Sequence, residues 1–167
     1  MVKTKQNLPH QKKNRRMHRW VGFILIYILL LASCDRNTLM HTYQPVKGNC
    51  WDRTDTLTFN LPDLTTDDNC SVLVGLRVTN SFPYEMLIME VEQNYQNPMG
   101  HRVDTIRYHL AEESGDFTEN GINYFQYETQ GLPLDLKKGQ TGEIKIRHLM
   151  HREILPGIMD VGIHVIR

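Results

Sequence analysis

Beyond residue 55, apolar and polar positions alternate with a period of two, in short runs separated by turn residues. That is the pattern of strands with one buried and one wet face. Leu57, Phe59 and Leu61 alternate with Thr56, Thr58 and Asn60 and predict a strand over 55–61. Val72, Val74, Leu76 and Val78 set the inner face of a second strand over 71–79, before Pro83 removes a ladder donor and restricts Phe82. Leu87, Met89 and Val91 mark a third over 86–95, and Ile106, Tyr108 and Leu110 a fourth over 102–110. Residues 124–129, 141–150 and 160–167 supply three more, the last two with Ile144, Ile146 and His148, and with Val161, Ile163 and Val165, on one face. Asn97-Pro98-Met99-Gly100, Asn120-Gly121 and Lys137-Lys138-Gly139 read as turns between them. Residues 150–157 allow at most one helical turn before Pro156. Seven short strands with no sustained 3.6 period make an all-β domain, a sandwich in preference to a closed barrel.

The chain before this pattern is of another kind. Residues 1–19 carry Lys3, Lys5, Lys12, Lys13, Arg15, Arg16 and Arg19 and no acidic residue; an apolar run follows from Trp20, ending in Leu31-Ala32-Ser33-Cys34. A basic start, a short apolar segment and small residues before a cleavage point are the parts of a secretory signal. The run of about 12 residues spans roughly 18 Å as a helix, short of a hydrocarbon core of roughly 30 Å, which argues against an uncleaved anchor. The ending resembles the lipobox of signal peptidase II substrates. Cleavage between Ser33 and Cys34 leaves Cys34 as the first mature residue, with a thiol able to form a thioether to diacylglycerol. Several acyl chains anchor a protein stably where one does not. Residues 34–50 are polar, contain Pro45 and Gly48, and read as a lipidated N-terminus and tether, leaving 51–167 as the β domain.

Removing 1–33 changes the charge. The whole chain balances 19 basic against 19 acidic residues, but seven of the basic ones lie in the signal, so the mature chain has 12 against 19, a net of −7. An acidic surface argues against nucleic acid and anionic lipid as direct partners. Of three cysteines, Cys50 and Cys70 remain once Cys34 is lipidated, and an oxidising envelope allows a disulfide between them. If strands 55–61 and 72–79 form a hairpin, its register places the two several residues apart along the ladder, beyond the Cα separation of roughly 4.4–6.8 Å that a disulfide needs.

Catalytic chemistry has little to stand on. His148 and His151 are three apart, but Leu149-Met150 lies between them, so this is not a zinc-protease motif; they and His101, His109 and His164 read as solvated or core-edge histidines, and no metal ligands are assigned. The serines lie in signal, strand or turn contexts, and Cys50 and Cys70 have no adjacent His or Lys to activate a thiolate. Glu112-Glu113-Ser114-Gly115-Asp116 reads as a solvated acidic loop, and Asp63, Asp67 and Asp68 lack calcium-loop spacing. Aromatics at Tyr124, Phe125 and Tyr127 are the one sugar-stacking candidate, against the ordinary reading of core plus one wet edge.

Four segments resemble the gliding-motility lipoprotein H (GldH) family of the Bacteroidota. They are Trp51 with Asp55-Thr56-Leu57-Thr58-Phe59; Asn80-Ser81-Phe82-Pro83-Tyr84 with Leu87; Asp104-Thr105-Ile106 with Tyr108 and Leu110-Ala111; and His148 with Met150 followed by Leu155-Pro156-Gly157-Ile158-Met159-Asp160-Val161-Gly162. Where the family usually has a Gly-Trp and a Gly-x-Gly turn, this chain has Gly115-Asp116-Phe117 and Asn120-Gly121-Ile122. The resemblance implies an envelope lipoprotein, in the outer membrane, needed for gliding and working alongside the type IX secretion apparatus. It also implies no catalytic residue, and no cofactor or small-molecule substrate is expected. On physical grounds Pro83 and Gly157 fix the path of turns, and Asp160 caps or pairs near the last strand. The expected function is therefore a non-enzymatic component that acts through contacts with other envelope proteins. The alternative is a surface lipoprotein that binds glycans or peptides.

Overall fold

The computed structural model describes residues 37–63, 69–96, 99–112 and 114–167. The signal sequence, Ser33 and Cys34, Asp67 and Asp68, the Asn97-Pro98 half of a turn, and Glu113 lie outside them. The described chain forms β1 (Thr38–Pro45), a 3-10 turn at Lys47–Asn49, β2 (Cys50–Asp52), β3 (Leu57–Asn60), β4 (Cys70–Val78) and β5 (Met86–Gln96). It continues through β6 (Gly100–His109), β7 (Phe125–Glu128), β8 (Leu132–Leu134), β9 (Thr141–His148), β10 (Ile154–Pro156) and β11 (Ile158–Ile166).

Two antiparallel sheets face each other as a sandwich. The first has the order β1-β11-β4-β7, with β8 also pairing β4; the second has the order β3-β9-β5-β6; β2 and β10 form a short separate ribbon. The inner faces are those set by the sequence period: Val72, Val74, Leu76, Val78, Val161, Ile163 and Val165 from the first sheet meet Phe59, Leu87, Met89, Val91, Ile144 and Ile146 from the second in one buried cluster. Each such side chain stabilises the fold by roughly 1.5–3 kcal/mol relative to exposure. Polar groups that enter this layer find partners. Tyr108 donates to the carbonyl of Val74 in the opposite sheet. Gln93, fully buried on β5, accepts from the Tyr95 hydroxyl and donates to the Pro133 carbonyl at 3.3 Å. On the edge, the Gln44 amide of β1 reaches the Thr58 carbonyl of β3 at 2.6 Å.

The strand count is higher than seven, and the differences are instructive. Residues 38–45, read as part of a tether, form an edge strand that pairs with β11 from Pro45↔Asp160 to Thr38↔Ile166. The anticipated hairpin of 55–61 with 72–79 is absent: β3 pairs β9 and β4 pairs β11, so residues 61–69 carry the chain from one sheet to the other. Residues 154–156, read as a possible helical turn, pair as a strand with β2. Residues 132–134, which lie between the strands expected at 124–129 and 141–150, pair with the start of β4. Cys50 lies opposite Pro156, next to the Val78 end of β4, whereas Cys70 begins β4 opposite Leu134. Most of β4 separates them, on the order of 25 Å at roughly 3.3 Å per residue, and they are not bonded to each other.

Candidate functional site

Two places gather chemistry-bearing side chains. The first is the outer face of the first sheet. Gly162 of β11 lies beside Gly75 of β4, and Tyr43 of β1 is opposite Gly162. Two glycines side by side leave a shallow trough, and the Tyr43 ring fills it. A Cβ on Gly162 would stand 2.7 Å from Tyr43 Cγ, and one on Gly75 would stand 2.8 Å from Tyr43 Cζ. The ring covers backbone that would otherwise be bare, which is how an aromatic compensates for glycine in a strand. Burial raises the pKa of the Tyr43 hydroxyl, an effect that the nearby Arg77 opposes.

Arg77 completes this half of the face. Its guanidinium lies 4.0 Å above the Tyr43 ring and 5.5 Å from the centre of the Tyr124 ring. It is also 3.6 Å from the Asp160 carboxylate and donates to Gln126 at 3.2 Å. Asp160 thus pairs at the last strand, as read from the sequence, and its partner is Arg77. Beyond Tyr43, His41 stacks on His164 with ring centres 4.6 Å apart. His164 in turn lies 3.2 Å from Glu128 and 3.0 Å from the Thr38 hydroxyl.

The second place is a cleft of about 360 Å³ at the end of β9, lined by Arg53, Arg147, His148, Leu149, Met150 and His151. His148 and His151 do come together here, but as cleft walls. His148 occupies the inward position that the period assigned to it, fully buried, with Trp51 edge-on at 5.4 Å. Neither of its ring nitrogens has a hydrogen-bond partner. Burial lowers its pKa, and the nearby backbone of Trp51 and Glu153 offsets this only in part, which favours the neutral ring. Arg147 is engaged by Glu90 at 2.7 Å. The lining offers guanidinium, imidazole and thioether groups; it contains no hydroxyl or thiol nucleophile for His148 to activate.

The other sequence candidates separate. Tyr124 is exposed on the outer face; Phe125 points inward and stacks on Phe117 at 4.1 Å; Tyr127 is buried and donates to the Leu110 carbonyl at 2.7 Å. The three therefore form no exposed aromatic pair. Phe117, in the loop where the resemblance departs, secures that loop by its stack on Phe125. In the acidic loop, Glu112 and Asp116 are joined through their backbones, Glu112 N to Asp116 O at 2.8 Å, in a turn.

The chain matches the family described as GldH lipoprotein over residues 38–165. It belongs to that family. The match begins at the first residue of β1 and stops one residue before the end of β11, so the GldH domain includes the edge strand that its sequence pattern had hidden. A relative, the gliding motility lipoprotein GldH of Flavobacterium johnsoniae, is 28% identical over 152 residues, which cover 86% of this chain and 94% of that protein. No solved structure matches. Both gathering places lie on the GldH domain. Of the segments that carry the resemblance, His148 and Met150 line the cleft and Trp51 packs against His148 from the core, while Asp160 and Gly162 lie on the outer face.

Proposed function

We propose that this GldH-family chain is a lipid-anchored protein of the cell envelope, held at the outer membrane through Cys34, that serves the gliding and type IX secretion machinery through protein contacts and without catalysis. The observation that carries the reading is the family match along the whole β domain, together with a relative named for gliding motility whose length this chain almost fully covers. The sequence adds the lipobox at Leu31-Ala32-Ser33-Cys34. The site geometry is consistent with contact in place of turnover. Arg77 is fixed by a ring, a carboxylate and an amide on an open sheet face, and His148 is packed against Trp51 with no nucleophile along its cleft. Glycan or peptide binding through the aromatic strand is the weaker alternative, because Phe125 and Tyr127 turn away from Tyr124.

The test is a chromosomal Cys34→Ala replacement. The chain is expected to lose acyl labelling and leave the membrane fraction, and the cells to lose surface movement and delivery of surface proteins. Full movement and delivery with an unanchored chain contradict the proposal.

A further inference from the structure

Three side chains from three strands converge on the outer face of the first sheet: His41 of β1, Glu128 of β7 and His164 of β11. One potential donor atom from each lies within 4.8 Å of the other two. His41 and His164 are direct cross-strand partners. Glu128 is opposite Gly75 on β4, which contributes no side chain of its own, and the Glu128 carboxylate reaches the β11 histidine diagonally across β4. These residues are far apart in the sequence, and only the strand order β1-β11-β4-β7 brings them together.

We propose that His41, Glu128 and His164 form a binding site for a divalent transition ion of the zinc class. Imidazole nitrogen and carboxylate oxygen bind zinc at roughly 2.0–2.2 Å, so two such donors in tetrahedral arrangement stand about 3.4 Å apart. His164 Nδ1 and Glu128 Oε1 are 3.2 Å apart, already at the spacing of two ligands on one ion. The other nitrogen of His164, Nε2, lies 3.0 Å from Thr38 Oγ1. With Nδ1 on the ion, the Nε2 proton is donated to that hydroxyl. A hydrogen bond of this kind fixes the tautomer and ring orientation of metal-bound histidines. His41 is stacked on His164 and exposed, so rotation of its ring about the side-chain bonds, on the order of 1–2 Å of movement, closes the third position without moving a strand. The fourth position faces solvent and takes water.

The donor set decides the class of ion. Two imidazoles and one carboxylate suit zinc, nickel or cobalt, whereas calcium and magnesium require oxygen donors. Binding joins β1, the strand next after the membrane tether, to β11 and, across β4, to β7 on the far side of the sheet.

The experiment uses the purified full chain in detergent, stripped of metal, titrated with Zn²⁺ by calorimetry and with Co²⁺ by visible absorption. One equivalent is expected to bind with micromolar or tighter affinity, to give the intense d–d bands of a four-coordinate Co²⁺ site, and to raise the unfolding temperature. His41→Ala and Glu128→Gln are each expected to weaken binding at least tenfold and abolish the Co²⁺ bands, while His101→Ala, on the other sheet, leaves both unchanged. The metal-free unfolding temperatures of the variants check that each is folded. Millimolar binding, no defined stoichiometry, or affinity unaltered by His41→Ala and Glu128→Gln overturns the proposal.

Discussion

Gly157 is packed directly against the backbone of Phe82: a Cβ at position 157 would stand 2.7 Å from Phe82 Cα. Its φ of +88° is in the left-handed region that favours glycine. Its backbone is held on both sides, with Gly157 N donating to Asn49 O and Thr79 N donating to Gly157 O, each at 2.8 Å. One residue therefore ties the turn after β4, the turn before β2 and the link from β10 to β11. Two of the four segments that carry the family resemblance meet here.

Gly157→Ala is expected to destabilise the domain by about 3 kcal/mol or more, combining positive-φ strain with a clash against main chain that cannot move aside. Gly139 has a φ of +75° but no atom within 4 Å of an added Cβ, so Gly139→Ala carries strain alone, about 1 kcal/mol. Urea unfolding of both variants checks this. Equal losses would remove the role given to the Phe82 contact.

Trp51 has no exposed surface, donates to the Asp55 carbonyl at 3.1 Å and lies edge-on to His148. Trp51→Ala is expected to cost about 3–5 kcal/mol through the cavity it leaves. A thermal midpoint within a degree or two of the native one would show that this end of the sandwich is not packed as described.

The same end gives the fold a pH dependence. Burial depresses the pKa of His148 from its ordinary 6.5, so below that pH the unfolded chain binds a proton that the folded chain does not. Stability is complete above about pH 6.5 and falls as the pH drops, by up to about 1.4 kcal/mol per pH unit, until the folded pKa is reached. His148→Phe is expected to flatten this slope between pH 7.5 and 5.5 in urea titrations. Identical slopes in the two proteins contradict it.

Gln93 and Tyr95 form a coupled pair. Both point inward from β5, the Tyr95 hydroxyl donates to the Gln93 side chain, and the same hydroxyl accepts from Asp135 N at 3.2 Å. Gln93→Leu is expected to cost about 1–3 kcal/mol by leaving polar partners unmet, and adding Tyr95→Phe to recover part of that loss. A double-mutant cycle should give a coupling of roughly 0.5–3 kcal/mol. Strict additivity would dissolve the pair.

Much of this fold was legible in the sequence. A period of two assigned the inner faces of β3, β4, β5, β6, β9 and β11 correctly, down to His148 at a buried position, because each strand presents one face to a shared core. β1 was not legible. As an edge strand it buries no residue fully, and its inward positions include Thr42 and Gln44, so the hydrophobic contrast disappears. β2, β8 and β10 are three residues each, too short to display a period. Pairing was also out of reach, because adjacency in sequence suggested a β3–β4 hairpin where the chain instead changes sheets.

The sites follow the same division. The turn residues Pro83 and Gly157, and Asp160 on the last strand, could be picked out from the sequence. Tyr43 over two glycines, Arg77 on Tyr43, and the His41, Glu128 and His164 grouping depend on strand order, which no local spacing encodes. The hint was composition: Gly75 and Gly162 sit at the centres of otherwise strong strands, where a glycine marks a close approach of another group.

The most direct test of the functional reading is deletion of the gene in its own cell, scoring movement over a surface and delivery of surface proteins in the same culture. Loss of both, restored by the full chain from a plasmid, is the expected result. Unaltered movement together with unaltered delivery contradicts a role in that machinery.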